Sequence, residues 1–145
     1  MATQMLANFD QADIIIKVAA VADYKPLDPK AGKIKKKENG KDLSILMTQN
    51  PDILKLLGKK KTKGQFLVGF AAETDDLEKN ARLKMEKKNL DMIAANIVGS
   101  SDSGFKADTN KVKLFFRDGS SFDIPLMGKD QVANILIDQV IEKME

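Results

Sequence analysis

Residues 14–26 run Ile14-Ile-Ile-Lys-Val18-Ala-Ala-Val-Ala-Asp23-Tyr-Lys-Pro26, an apolar stretch that closes on a lone carboxylate beside a small-residue turn. Ile14, Ile15, Ile16, Val18 and Val21 give the continuous hydrophobic pattern expected of a parallel strand covered on both faces. Open α/β sheets bind ligands beyond the carboxyl ends of such strands. Alanines there let a planar ring approach the backbone, and an acid such as Asp23 can accept hydrogen bonds from sugar hydroxyls. A nucleotide is the ligand this pattern suggests. The same residues suit a plain turn before Pro26, and pattern alone leaves both readings open.

Upstream, Met1–Phe9 is expected to form a short helix; it has neither the cationic leader nor the apolar length of a signal peptide or membrane span, so a cytoplasmic setting is expected. The 145 residues, 43% hydrophobic and 31% charged, suit a single domain with a substantial core. The chain has no cysteine and no histidine, which removes thiol nucleophiles, imidazole bases, disulfides and the usual zinc sites. Lysine, arginine and carboxylates remain, an inventory suited to positioning a polyanion and neutralising charge that develops on phosphorus. Net charge is only +3, yet the lysines cluster at 30–37, 59–63 and 79–88. Such clusters raise a nucleic-acid reading, against which stand a single tyrosine, no tryptophan and no recognisable nucleic-acid module.

Downstream, Tyr24–Gly32 is expected to be a loop, followed by a lysine-rich hairpin over 33–47 that turns at Asn39-Gly40. Asn50-Pro51-Asp52 suggests a capped helix start, with Ile53, Leu54, Leu56 and Leu57 inside the helix and Gly58 ending it. A basic loop over 59–64 leads to a buried strand over Phe66–Ala71. A helix capped by Asp75 and Glu78 then runs to about Lys88, and a third buried strand spans Asp91–Asn96. A polar loop over 99–108, a second hairpin (112–116 and 122–126 around Asp118-Gly119) and a closing helix over 131–144 complete the chain. The series implies a Rossmann-like α/β fold: an open, mainly parallel sheet with helices on both faces, the projecting hairpin and an added antiparallel hairpin.

Six strings in order, Ala-Ala-Val-Ala-Asp-Tyr at 19–24, Lys-Ile-Lys-Lys at 33–36, Asn-Pro-Asp-Ile at 50–53, Gly-Phe-Ala-Ala-Glu-Thr at 69–74, Lys-Lys-Asn-Leu-Asp at 87–91 and Ala-Asn at 95–96, carry a resemblance. Together they resemble the C-terminal portion of phosphopantothenoylcysteine synthetase, the phosphopantothenate-cysteine ligase of coenzyme A synthesis. That ligase is often fused to a flavin-dependent decarboxylase. The resemblance implies a two-step ligation: the carboxylate of 4′-phosphopantothenate attacks CTP to give an acyl-cytidylate and pyrophosphate, and the amine of cysteine then displaces CMP. Neither step needs a covalent enzyme intermediate, in keeping with the residue inventory.

The resemblance also implies site residues. Ala19 would meet the cytosine through its backbone and Asp23 would hold the nucleotide's polar groups, the ribose among them. Pro51, Asp52, Ile53 and Leu54 would frame the base, and Phe70 would pack on the nucleotide; in isolation Phe70 reads better as a strand-core phenylalanine. Lys33 matches the family's flap lysine, reaching over the triphosphate and acyl-cytidylate, although on pattern alone it is a solvated surface lysine. Lys84 and Lys88, four apart on one helix face, would clamp phosphate oxygens. Magnesium (Mg2+) would ride on the triphosphate, no flavin is expected in this portion, and a homodimer is implied because family members pair through this part of the fold. The family's glycine-rich phosphate loop and serine-serine-glycine segment with its asparagine have no counterpart in these residues, so a fragment of a larger ligase domain is expected. The rival reading is a non-catalytic nucleotide-binding or regulatory module of the same architecture, and a basic nucleic-acid-binding domain is the weaker third.

Overall fold

The computed structural model describes residues 1–34, 43–73, 76–97 and 108–145. They gather into two compact bodies, one of residues 1–18 and 53–145, the other of residues 19–52.

The larger body is built on a five-stranded sheet of order β1-β4-β5-β6-β7: Ile14–Lys17 (β1), Phe66–Glu73 (β4), Met92–Ile97 (β5), Thr109–Phe116 (β6) and Ser121–Gly128 (β7). β1, β4 and β5 are parallel, β6 runs against them and β7 returns, so four strands of the five point one way. Its helices are α1 (Ala2–Asn8), α2 (Ile53–Lys60), α3 (Leu77–Lys88) and α4 (Lys129–Met144).

Side-chain alternation along the strands decides which helix covers which face. Leu67, Ala71, Ile93, Ala95 and Phe115 point to one side, where they pack with Ile53, Leu54 and Leu57 of α2, Ala81 and Met85 of α3 and the partly buried Met5 and Leu6 of α1. Phe66, Val68, Met92, Ala94, Leu114, Phe116 and Ile124 point to the other, against Val132, Leu136 and Val140 of α4. Each fully buried leucine, Leu57, Leu67 and Leu114 among them, stabilises the fold by about 2 kcal/mol. The Rossmann-like layering with helices on both faces is therefore as expected, and Pro125 sits on the edge strand β7, where no ladder hydrogen bond is lost.

Local expectations needed correction. The first strand is four residues long and lies at the sheet edge; Ile15 is its one buried residue, Ile14 is 42% exposed and Val18, beyond it, 62%. Its hydrophobic run is thus not covered on both faces. Gly58 does not end α2, which continues to Lys60. It is glycine because any Cβ at that position would collide with the Lys88 carbonyl oxygen. Pro51 and Asp52 precede the helix instead of opening it. Of the Asp75–Glu78 cap, Asp75 lies outside the described residues, and α3 starts after Asp76 in the left-handed region (φ 48°) without a side-chain cap.

The smaller body is a two-stranded antiparallel ladder of Tyr24–Pro26 (β2) and Met47–Gln49 (β3), with Tyr24 opposite Gln49 and Pro26 opposite Met47. The expected loop after Asp23 therefore begins as a strand. The Leu27 N–H donates to the Leu46 carbonyl at 2.9 Å and prolongs the pairing. Lys33 and Ile34 are in neither strand, and the Asn39-Gly40 turn of the expected hairpin lies outside the described residues. Its described side chains are all exposed apart from Thr48 and Asn50, which are half-buried.

Candidate nucleotide site

The residues named from sequence divide between the two bodies. In the smaller one are Ala19, Asp23, Lys33, Pro51 and Asp52, all exposed. The ladder holds two of these segments together. At its end the Asn50 N–H donates to the Asp23 carbonyl at 2.7 Å, and the Asn50 side-chain amide donates to the Ala22 carbonyl at 2.8 Å. Asn50, expected to cap a helix, instead ties the Ala-Ala-Val-Ala-Asp-Tyr segment to the Asn-Pro-Asp segment. The signal was present in the sequence: a residue before proline is pushed toward extended backbone, which suits a ladder better than a helix start.

In the larger body, Ile53 and Leu54 open α2 with buried side chains that belong to its core, leaving backbone as what they can offer a ligand. Phe70 is half-buried on the α4 face of the sheet, packed against the buried cluster there. Lys84 is exposed and Lys88 half-buried on α3, which packs on the opposite face. Phe70 and the two lysines therefore have the sheet between them. The last turn of α3 also lies at the amino ends of the parallel strands, because the Asp91 N–H just beyond it donates to the Leu67 carbonyl at 2.9 Å.

That turn is locked by a network that the sequence reading passed over. Asn89, in the left-handed region (φ 55°), donates from its side chain to the Gly58 carbonyl at 2.6 Å and accepts from Arg117. Arg117 also donates to the Leu90 carbonyl at 3.0 and 3.1 Å. The Asp91 carboxylate accepts from Lys61 at 2.6 Å and from the Leu67 N–H at 2.8 Å, with Arg117 at 3.5 Å. The Lys61 and Asp91 side chains are 10% and 17% exposed, so this pair is nearly out of water and depends on its extra hydrogen bonds to offset desolvation. The run Lys-Lys-Asn-Leu-Asp thus includes two structural anchors, Asn89 and Asp91.

At the β6–β7 turn, the Lys143 ammonium hydrogen-bonds Asp118, and with the Ser120 hydroxyl and N–H it holds the Asp118 carboxyl well below the usual carboxylate range. Lys143 also sits 4.8 Å from the Phe116 ring centroid, so the pair fastens the end of α4 to the hairpin. Among the described residues no group of three or more acidic side chains gathers to hold a metal, and no helix is long and apolar enough to cross a membrane.

Comparison with known proteins follows the same lines. Residues 1–144 match the family model described as the DNA/pantothenate metabolism flavoprotein C-terminal domain. The chain is 46% identical over 140 residues to the coenzyme A biosynthesis bifunctional protein CoaBC of Bacillus subtilis (strain 168), covering 97% of this chain and 34% of that protein. It spans about a third of the length of the curated relatives it matches. The crystal structure of the C-terminal domain of a CoaBC protein superposes with a TM-score of 0.75 at 34% identity, over 96% of this chain and 58% of that one. A Cab2 H337A mutant in complex with phosphopantothenate-cysteine gives a TM-score of 0.65 at 16% identity over 99% of this chain and 50% of that one, a likeness of fold. With a family model matched over almost its whole length, and on a sheet that superposes on a solved member, the chain belongs to the DNA/pantothenate metabolism flavoprotein C-terminal domain family.

Proposed function

We propose that this chain supplies the nucleotide-holding part of a phosphopantothenate-cysteine ligase that uses CTP in coenzyme A synthesis. The observation that carries the reading is the Asn50 tie, which sets the Asp23 end of the Ala-Ala-Val-Ala-Asp-Tyr segment beside the Asn-Pro-Asp segment. The family and the CoaBC relatives support the ligase class, and a structural neighbour is titled as a complex with phosphopantothenate-cysteine.

In this reading the Ala19–Asp23 backbone, Pro51 and Asp52 receive the cytidine, and Asp23 accepts from its ribose, while Ile53 and Leu54 enter through the resemblance alone. A carboxylate oxygen of 4′-phosphopantothenate attacks the α-phosphorus of CTP, the bond to pyrophosphate breaks, and an acyl-cytidylate forms. The cysteine amine then attacks the acyl carbon, loses a proton and expels CMP. Lys33 lowers the barrier by placing a cation where charge builds on the transferring phosphoryl oxygens. Magnesium, carried on phosphate oxygens, would supply further charge neutralisation. Phe70, Lys84 and Lys88 enter through the resemblance alone, since the sheet separates the first from the other two. A homodimer and an adjoining decarboxylase domain belong to the same proposal.

The test is pyrophosphate release with CTP, 4′-phosphopantothenate, cysteine and magnesium. Release that depends on CTP and falls at least tenfold in Lys33→Gln, with CTP affinity retained, is the expected result for a group acting on the transition state. Equal release with ATP, or unchanged turnover in Lys33→Gln, contradicts it. Saturable CTP binding without pyrophosphate release would select the rival reading, a nucleotide-binding module without turnover.

A further inference from the structure

Resting on the proposed nucleotide reading, we infer that Asn50 is a positioning residue that aims the Asp23 carboxylate at the ribose hydroxyls. Three observations converge on it. Asn50 is one of two half-buried residues among those described in its body. Its N–H extends the β2–β3 ladder by one rung, onto the Asp23 carbonyl at 2.7 Å, and its side-chain amide then takes the preceding carbonyl, that of Ala22, at 2.8 Å. Consecutive carbonyls held from one residue leave the Ala22–Asp23 peptide little freedom to rotate, so the direction of the Asp23 side chain is set from Asn50. Pro51 contributes by holding Asn50 extended, which keeps both donors on the ladder side.

The chemistry explains why an amide is used. Asp and Ser offer shapes close to Asn but neither presents an NH2 donor, while Ala presents nothing. In an exposed ladder of three residue pairs, one side-chain hydrogen bond is a large share of what defines the Asp23 backbone. A ligand held by Asp23 through its ribose would sense that loss, whereas one lacking ribose hydroxyls would not.

The experiment titrates the 145-residue chain with CTP and with 2′,3′-dideoxy-CTP, for the native protein, Asn50→Ala, the near-isosteric Asn50→Asp and Asp23→Ala. The expected result is that the native chain prefers CTP, and that both Asn50 variants lose CTP affinity by about fivefold, the worth of one ordinary hydrogen bond. Their dideoxy-CTP affinity should stay unchanged, and Asn50→Ala combined with Asp23→Ala should be no weaker than Asp23→Ala alone. A variant that loses affinity equally for both nucleotides, or for neither, overturns the positioning role while leaving the nucleotide reading intact. Absence of saturable binding of either nucleotide by the native chain overturns both.

Discussion

The body of residues 1–18 and 53–145 and the body of residues 19–52 differ in what holds them. The first has two buried apolar layers, one on each face of its sheet, and a nearly desolvated ion pair at Asp91. The second has a ladder of three residue pairs and no fully buried residue among those described. Thermodynamic stability therefore belongs to the first. The second carries Ala19, Asp23 and Lys33 of the proposed site, and segments that bind are often drawn from the weakly held parts of a fold.

Substitutions that break this contrast should range from severe to silent. Gly58→Ala should be the most damaging, because the added Cβ meets a backbone oxygen that cannot swing away. A loss of about 3 kcal/mol or more should lower the thermal midpoint by about 10 °C; a midpoint within 2 °C or so of native would contradict the close approach of α2 and α3. Asp91→Ala strands the Lys61 ammonium and the Leu67 N–H, and chemical denaturation should report a loss of about 3 kcal/mol. Asp91→Asn should cost less, since the amide oxygen can still accept.

Asp118→Asn is a smaller, pH-dependent case. Because the folded carboxyl is held below its ordinary 3.8, its contribution is present above that pH and is withdrawn as pH falls through the folded value. Native and variant stability curves should thus differ most near neutrality and converge in acid; a gap that widens in acid contradicts the assignment. At the silent end, Leu46→Ser in the smaller body replaces a leucine that is 72% exposed and should change unfolding free energy by less than about 0.5 kcal/mol. A larger loss would show that residues 19–52 contribute to the core after all.

The sheet was legible because strands β4 and β5 and helix α4 are long enough for their hydrophobic spacing to be unmistakable, and Asp118-Gly119 announced its turn. What misled was local chemistry with two outcomes. Gly58 looked like a helix stop, but it is a crossing point, and only knowledge of Lys88 across the gap separates the two. Asn50-Pro51 looked like a cap, yet the extended backbone that proline imposes served a ladder whose paired residues lie 21 to 27 positions apart in sequence. Ile14–Ile16 looked like a strand covered on both faces because an apolar run does not reveal how much of it the neighbouring layers reach, and Ile14 stays 42% exposed. At the site, the grouping of Asp23 with the Asn-Pro-Asp turn came from the resemblance before the geometry. The anchors Asn89 and Asp91 went unread because a polar residue's partner cannot be inferred from spacing when it lies on another element.

Whether the weakly held body receives CTP beside Asn50 can be read from hydrogen exchange with and without saturating CTP. Exchange should slow at residues 19–27 and 43–52, with the Asn50 amide among the most affected, and change little in β4–β7. Exchange that is unaltered by CTP in those segments, or protection confined to the sheet, would contradict that placement.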